Sequence, residues 1–157
     1  MKYYAPTNLE NALDLLEKLS SEKNVLLAGG TDIVPKLKSN PARSGWYDKY
    51  DASVKDFNMI YLGNLGLSYV TSDDGGALHI GALTTMSDIL ADPIADKIPV
   101  LKEALSHLAG LTIRNVATIG GNTMNASPAA DSIPALIALG ALAVFTGKAG
   151  QRTVALE

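Results

Sequence analysis

Two glycine pairs carry the clearest chemical suggestion in this sequence. Ala28-Gly29-Gly30-Thr31-Asp32 follows the apolar run Val25-Leu26-Leu27, and Thr118-Ile119-Gly120-Gly121-Asn122 follows Asn115-Val116-Ala117. Glycine has no Cβ, so successive backbone N–H groups can curve into a concave nest that an anion approaches closely. The flanking hydroxyls and amide of Thr31, Thr118 and Asn122 add further donors. Two turns of this kind can grip one diphosphate, so the chemistry they suggest is nucleotide binding. The same glycines would also serve tight turns with no ligand at all. Neither segment reads G-x-G-x-x-G ahead of a helix, and no G-x-x-x-x-G-K-[ST] occurs, which argues against a Rossmann or P-loop site.

Other chemistries find little support. The 157 residues include no cysteine, so thiolate metal sites, cysteine nucleophiles and iron–sulfur ligation within this chain are excluded. His79 and His107 are separated by an inferred strand and helix with no third ligand in view, and no metal site is proposed. Ser127 lacks a histidine base and a G-x-S-x-G setting, so hydrolase chemistry is not supported. A net charge of −3, with 18% charged and 47% hydrophobic residues, fits a globular chain with no basic surface for nucleic acid. No apolar stretch approaches the roughly 20 residues of a membrane helix, and the amino terminus lacks the apolar core of a signal peptide, so a cytoplasmic protein is the default.

The elements that must position the glycines follow from periodicity. Thr7-Asn8-Leu9-Glu10 fits a capping box, and Leu9, Ala12, Leu13, Leu16 and Leu19 recur at helical spacing, predicting an amphipathic helix near 8–20. A buried strand over Val25 to Leu27 leads into the first glycine turn, with Thr31 or Asp32 capping a short helix from Ile33 to Lys38. A helix start behind the glycines would favour a phosphate. Residues 40–56 read as a surface excursion whose Trp46, Tyr47 and Tyr50 suit an apolar cover for one lobe, with a ring-stacking platform or a partner patch as the alternatives.

From Met59 the pattern shifts to strand, over 59–62, 67–71 and 77–82, with Asp73-Asp74-Gly75-Gly76 as a hairpin turn. An antiparallel second lobe is therefore expected to begin near residue 56, giving lobes of 1–55 and 56–157. Thr84-Thr85 should cap a short helix and Pro99 should open another that ends at Gly110. Ser127 and Pro128 should start an apolar helix that Gly140 ends, and strands over 141–146 and 152–156 close the pattern.

The segments LLAGGTDIVPKLK (26–38), HIGALTTMSDI (79–89) and TIRNVATIGGNTMNASPAADSIPALIALGA (112–141), together with the opening YYAPTNLENALDLL (3–16), carry a family resemblance. They resemble the FAD-binding, or medium, subunit of molybdenum hydroxylases of the xanthine dehydrogenase and carbon monoxide dehydrogenase type. The resemblance covers most of the chain except residues 40–57. It implies an α+β, two-lobed FAD-binding module of the vanillyl-alcohol-oxidase type. A small α/β N-terminal lobe would be followed by an antiparallel-sheet lobe covered by helices, with FAD extended between the two.

By similarity, Leu27, Ala28, Gly29, Gly30, Thr31, Asp32 and Ile33 would form the first wall of the cofactor site. Thr118, Ile119, Gly120, Gly121 and Asn122 would form the second. Ala82 and Thr84 would lie near the flavin end, Asn125 and Ser127 beside the cofactor, and Asp131 would accept hydrogen bonds from the ribose or adenine part. Asp131 also suits a helix N-terminus without any ligand.

The isoalloxazine ring then carries the redox chemistry and no side chain is catalytic. Electrons would come from iron–sulfur clusters of a small partner subunit, having left substrate at the molybdenum cofactor of a large subunit, and pass to NAD or another acceptor. Modules of this family continue beyond the point matched by Glu157. The resemblance therefore implies a C-terminally incomplete second lobe, with a free sheet edge that predicts self-association. The alternative expectation is a flavin-free remnant that binds a partner or nucleotide without redox turnover.

Overall fold

The computed structural model describes residues 1–38 and 57–156, and these divide into two compact units, Met1–Gly66 and Leu67–Glu157. The aromatic residues Trp46, Tyr47 and Tyr50 lie outside the described residues.

The first unit begins with strand β1 (Lys2–Tyr4) and helix α1 (Leu9–Lys18). The cap of α1 is Asn8, whose side-chain oxygen accepts from the Asn11 amide at 2.8 Å. The cap therefore sits one residue beyond the Thr7 that the capping box suggested. Asn8 at the cap brings Asn11, not Glu10, to the third helical position. Ala12 and Leu19 turn inward and are buried, as the helical spacing requires.

Strand β2 (Asn24–Leu27) and helix α2 (Ile33–Lys38) flank the first glycine turn. Strand β3 (Asn58–Tyr61) then runs parallel to both β1 and β2 and lies between them. This corrects the expectation that the strand after residue 56 opens the antiparallel lobe. Its side chains explain the central place. Ile60 is fully buried, and the 2%-exposed Asn58 donates through Nδ2 to Asn24 Oδ1 and Glu22 Oε2, both at 3.0 Å. A buried amide is tolerated when its hydrogen bonds are supplied in this way.

The second unit contains two antiparallel hairpins and most of the helices. Strands β4 (Val70–Ser72) and β5 (Leu78–Ile80) pair through the predicted Asp-Asp-Gly-Gly turn. There Asp73 Oδ1 accepts from the Ala77 amide and Oδ2 lies 3.1 Å from His79 Nε2. These contacts hold the exposed Asp73 carboxyl below its ordinary pKa, the His79 hydrogen bond being the largest cause.

Helix α3 (Met86–Ala91) is capped by Thr85, and helix α4 (Pro99–His107) opens on proline. Helix α5 (Leu111–Arg114) follows a sharp corner at Ala109, whose φ is +46°. The Arg114 guanidinium holds that corner by donating to the carbonyls of Ser106, Leu108 and Ala109.

Helices α6 (Ile119–Asn125) and α7 (Ser132–Ala138) precede the hairpin of β6 (Leu142–Gly147) and β7 (Gly150–Ala155). Met86, Ile89, Leu101, Leu105, Ile119 and Leu136 form the core under these helices. Each such side chain contributes about 1.5–3 kcal/mol by leaving water.

Candidate functional site

In the first unit the candidate residues form one continuous turn. Leu27 ends β2, Ala28 to Asp32 make the bend, and Ile33 begins α2. Gly30 has φ +72°, the left-handed region that glycine enters without strain. Its carbonyl accepts from the Val34 amide at 3.0 Å, which ties the turn to the helix. The Asp32 carboxylate pairs with Lys36 one turn later, so its negative charge is met locally. Among the described residues, the successive amides of Gly29, Gly30, Thr31 and Asp32 have no acceptor. Unpaired amides in a half-buried turn are unusual, because such groups normally find partners. The donor set suits an anionic group such as the diphosphate of FAD.

The second glycine pair is built otherwise. Sequence placed it in a turn, yet Gly120 and Gly121 lie in the first turn of α6 behind a Thr118 cap. The Gly121 amide donates to Thr118 Oγ1 at 3.1 Å and the Asn122 amide to the Thr118 carbonyl at 2.9 Å. The Ile119 amide reaches the Thr84 carbonyl at 3.0 Å and the Gly120 amide the Ala82 carbonyl at 2.9 Å. All of these donors are engaged within the unit, so this segment is not an amide nest. A Cβ on Gly120 would stand 2.6 Å from the Ala82 oxygen, so close backbone approach accounts for this glycine.

Thr84 is buried, and its hydroxyl both donates to the Tyr69 carbonyl and accepts from the Tyr69 amide, each at 2.9 Å. Its side chain therefore braces the chain beneath Ala82. Ile119 is also buried, whereas Ala82 is exposed.

Asn122 is half-buried. Its Oδ1 accepts from Ser132 Oγ at 2.5 Å, while its Nδ2 has no acceptor among the described residues. Asn125, which has a partner, ends α6 in an exposed position.

The helix expected from Ser127 and Pro128 begins only at Ser132. Ser127 Oγ instead accepts from the Ala129 amide at 3.3 Å in a short turn. A local hydroxyl turn has replaced the first part of the helix, a competition that serine is suited to. Asp131 occupies the cap position of α7 but makes no capping bond through its side chain, and its carboxylate is exposed. Within the second unit the fold thus brings Ala82 and Thr84 against Ile119 and Gly120, and Asn122 against the residue after Asp131.

Sequence reasoning passed over Ser132, although a lone hydroxyl on the apolar face of a helix was a usable signal. It also missed Gly81 as a packing residue, where a Cβ would lie 2.2 Å from the Leu67 oxygen. No helix among the described residues is long and apolar enough to cross a membrane.

A family model described as the FAD binding domain in molybdopterin dehydrogenase matches residues 1–157. The chain is 36% identical over 137 residues to a putative xanthine dehydrogenase FAD-binding subunit of Escherichia coli (strain K12), covering 86% of this chain and 42% of that protein. It is 30% identical over 154 residues to the carbon monoxide dehydrogenase medium chain of Hydrogenophaga pseudoflava, covering 98% and 49%.

Among solved structures, carbon monoxide dehydrogenase from Hydrogenophaga pseudoflava lacking the Mo-pyranopterin moiety of the molybdenum cofactor aligns with TM-score 0.84 and 30% identity. That alignment covers 99% of this chain and 50% of the other. Quinoline 2-oxidoreductase from Pseudomonas putida 86 gives TM-score 0.83 and 26% identity over the same shares. The chain spans about half the length of the curated relatives it matches. With the α+β fold, the open glycine turn and a family match along its whole length, the chain belongs to the FAD-binding domains of molybdopterin dehydrogenases.

Proposed function

We propose that this chain is the FAD-carrying electron-transfer component of a molybdenum hydroxylase. The observation that carries the reading is the run of amides from Gly29 to Asp32 that have no acceptor among the described residues. In this reading those amides and the Thr31 hydroxyl hold the cofactor diphosphate, with Leu27, Ala28 and Ile33 shaping the turn. The segment from Thr118 to Asn122 contributes the Asn122 Nδ2 donor and the bare surface of Gly121, since its amides are already engaged. Ile119 and Thr84 support that surface from inside and Ala82 borders it. Asn125 and Ser127 lie along the cofactor, and the Asp131 carboxylate accepts from ribose hydroxyls or the adenine amine.

FAD held by these residues would supply the redox chemistry linking the molybdenum centre of a large subunit and the iron–sulfur clusters of a small one to NAD or another acceptor. The residues of this chain bind and orient, and none acts as acid, base or nucleophile. Relatives named as a xanthine dehydrogenase FAD-binding subunit and a carbon monoxide dehydrogenase medium chain support a multi-subunit setting, which this reading places in the cytoplasm.

The test is an absorbance and fluorescence spectrum of the purified chain, as isolated and after incubation with FAD and desalting. Retained flavin that excess ADP displaces and riboflavin does not is the expected result. A chain that retains no flavin and leaves FAD fluorescence unchanged in titration would overturn the reading.

A further inference from the structure

Ser132 is fully buried in the first turn of α7, on the side of the helix that carries buried Ala135 and Leu136. Packing alone would favour alanine there, which is the better helix former and buries no polar group. Among the described residues the serine hydroxyl has one partner, the side chain of Asn122 on α6, and donates to Oδ1. That bond ties α6 to α7 at the residue next to Asp131. The bond holds Asn122 with its oxygen towards Ser132, which leaves Nδ2 without an acceptor among the described residues. Only the nitrogen end can donate to a phosphate oxygen or a flavin carbonyl. A flipped amide would present a second acceptor to the same atom.

From this geometry we infer that Ser132 is a positioning residue for the cofactor. It orients Asn122 as a hydrogen-bond donor and holds it in fixed relation to the start of α7, where Asp131 stands. The inference rests on the FAD reading above.

A double-mutant cycle tests it, with FAD dissociation constants and melting temperatures of the ligand-free chain measured for wild type, Ser132→Ala, Asn122→Ala, the double variant and Asn122→Asp. Ser132→Ala should weaken FAD binding about tenfold, the worth of one well-placed hydrogen bond. The ligand-free melting temperature should stay within about 4 °C. In the Asn122→Ala background the serine change should add nothing, because its effect passes through that amide. Asn122→Asp keeps an acceptor for Ser132 but removes the donor, so it should hold the melting temperature and lose FAD affinity.

Wild-type affinity in Ser132→Ala, or the same loss with and without Asn122, would overturn the inference. If Ser132→Ala does not fold, Asn122→Asp decides, and unchanged FAD affinity there overturns it as well. These results leave the FAD reading standing so long as the wild-type chain binds FAD. A wild-type chain that binds none removes both.

Discussion

Gly29 and Gly30 bend an open turn whose amides have no acceptor among the described residues, while Gly120 and Gly121 begin a helix whose first amides are all engaged. The neighbours differ in kind too. A Cβ on Gly30 would meet the ends of Leu27 and Val34 at 3.1 and 3.2 Å, and side chains of that sort can shift. A Cβ on Gly120 would meet the Ala82 backbone oxygen at 2.6 Å. In the first pair, Gly30 is glycine because its backbone lies in the left-handed region. In the other, Gly120 is glycine so that the unit can close on itself. Similar local sequence therefore leaves donors open in one place and serves packing in the other.

Substitutions can break or sharpen this contrast. The largest effect should come from Gly120→Ala, which forces the Ala82 backbone away and costs about 3 kcal/mol. A thermal melt should fall by roughly 6–12 °C, and a fall of only a degree or two would erase the contrast. Thr84→Val should follow at about 2 kcal/mol, since the Tyr69 amide loses its acceptor while the Tyr69 carbonyl keeps only the Gly81 amide. Denaturant titration reads that loss.

Gly30→Ala should cost about 1–2 kcal/mol from its left-handed backbone. Unlike Gly120→Ala, it should leave a folded chain whose FAD affinity is reduced about tenfold or more. Fluorescence titration measures it, and undiminished affinity would mean that the open turn is not the diphosphate site. Asp131→Ala should leave the melt unchanged, since the carboxylate makes no capping bond. Its FAD binding should weaken by about 1.5–3 kcal/mol, the range for a hydrogen bond to a charged group.

The smallest effect concerns the β4–β5 hairpin. The Asp73 carboxyl is lowered from its ordinary value of 3.8, so its share of stability is present above that value and is lost as pH falls through the lower folded one. Melts of Asp73→Asn and wild type should therefore differ at pH 7 and converge near about pH 2. Divergence towards acid would contradict the His79 contact as its cause.

The sequence made some of this legible and hid the rest for identifiable reasons. Periodicity in Leu9, Ala12, Leu16 and Leu19 announced α1, because an amphipathic face repeats locally. The Asp-Gly-Gly turn announced its hairpin for the same reason. The place of β3 was hidden, since four residues can read as strand without naming their partners, and β1 and β2 lie far away along the chain. The second glycine pair reads as a turn yet opens a helix, because a Gly-Gly signal is the same whether the missing Cβ admits a ligand or a neighbouring backbone. Asn122 and Asp131 entered as candidates through a long family motif. Ser132 did not, because its meaning lies in a bond across two helices.

The parallel sheet of the first unit has a consequence for how the chain is made. Its outer strands, β1 and β2, precede the central strand that joins them, and β3 ends only at Tyr61. On the ribosome both outer strands emerge with their ladders empty, and neither can pair until the third arrives. Such long-range closure is slow and leaves unsatisfied strand edges exposed meanwhile. The vulnerable interval for this unit therefore lies between the emergence of β2 and that of β3.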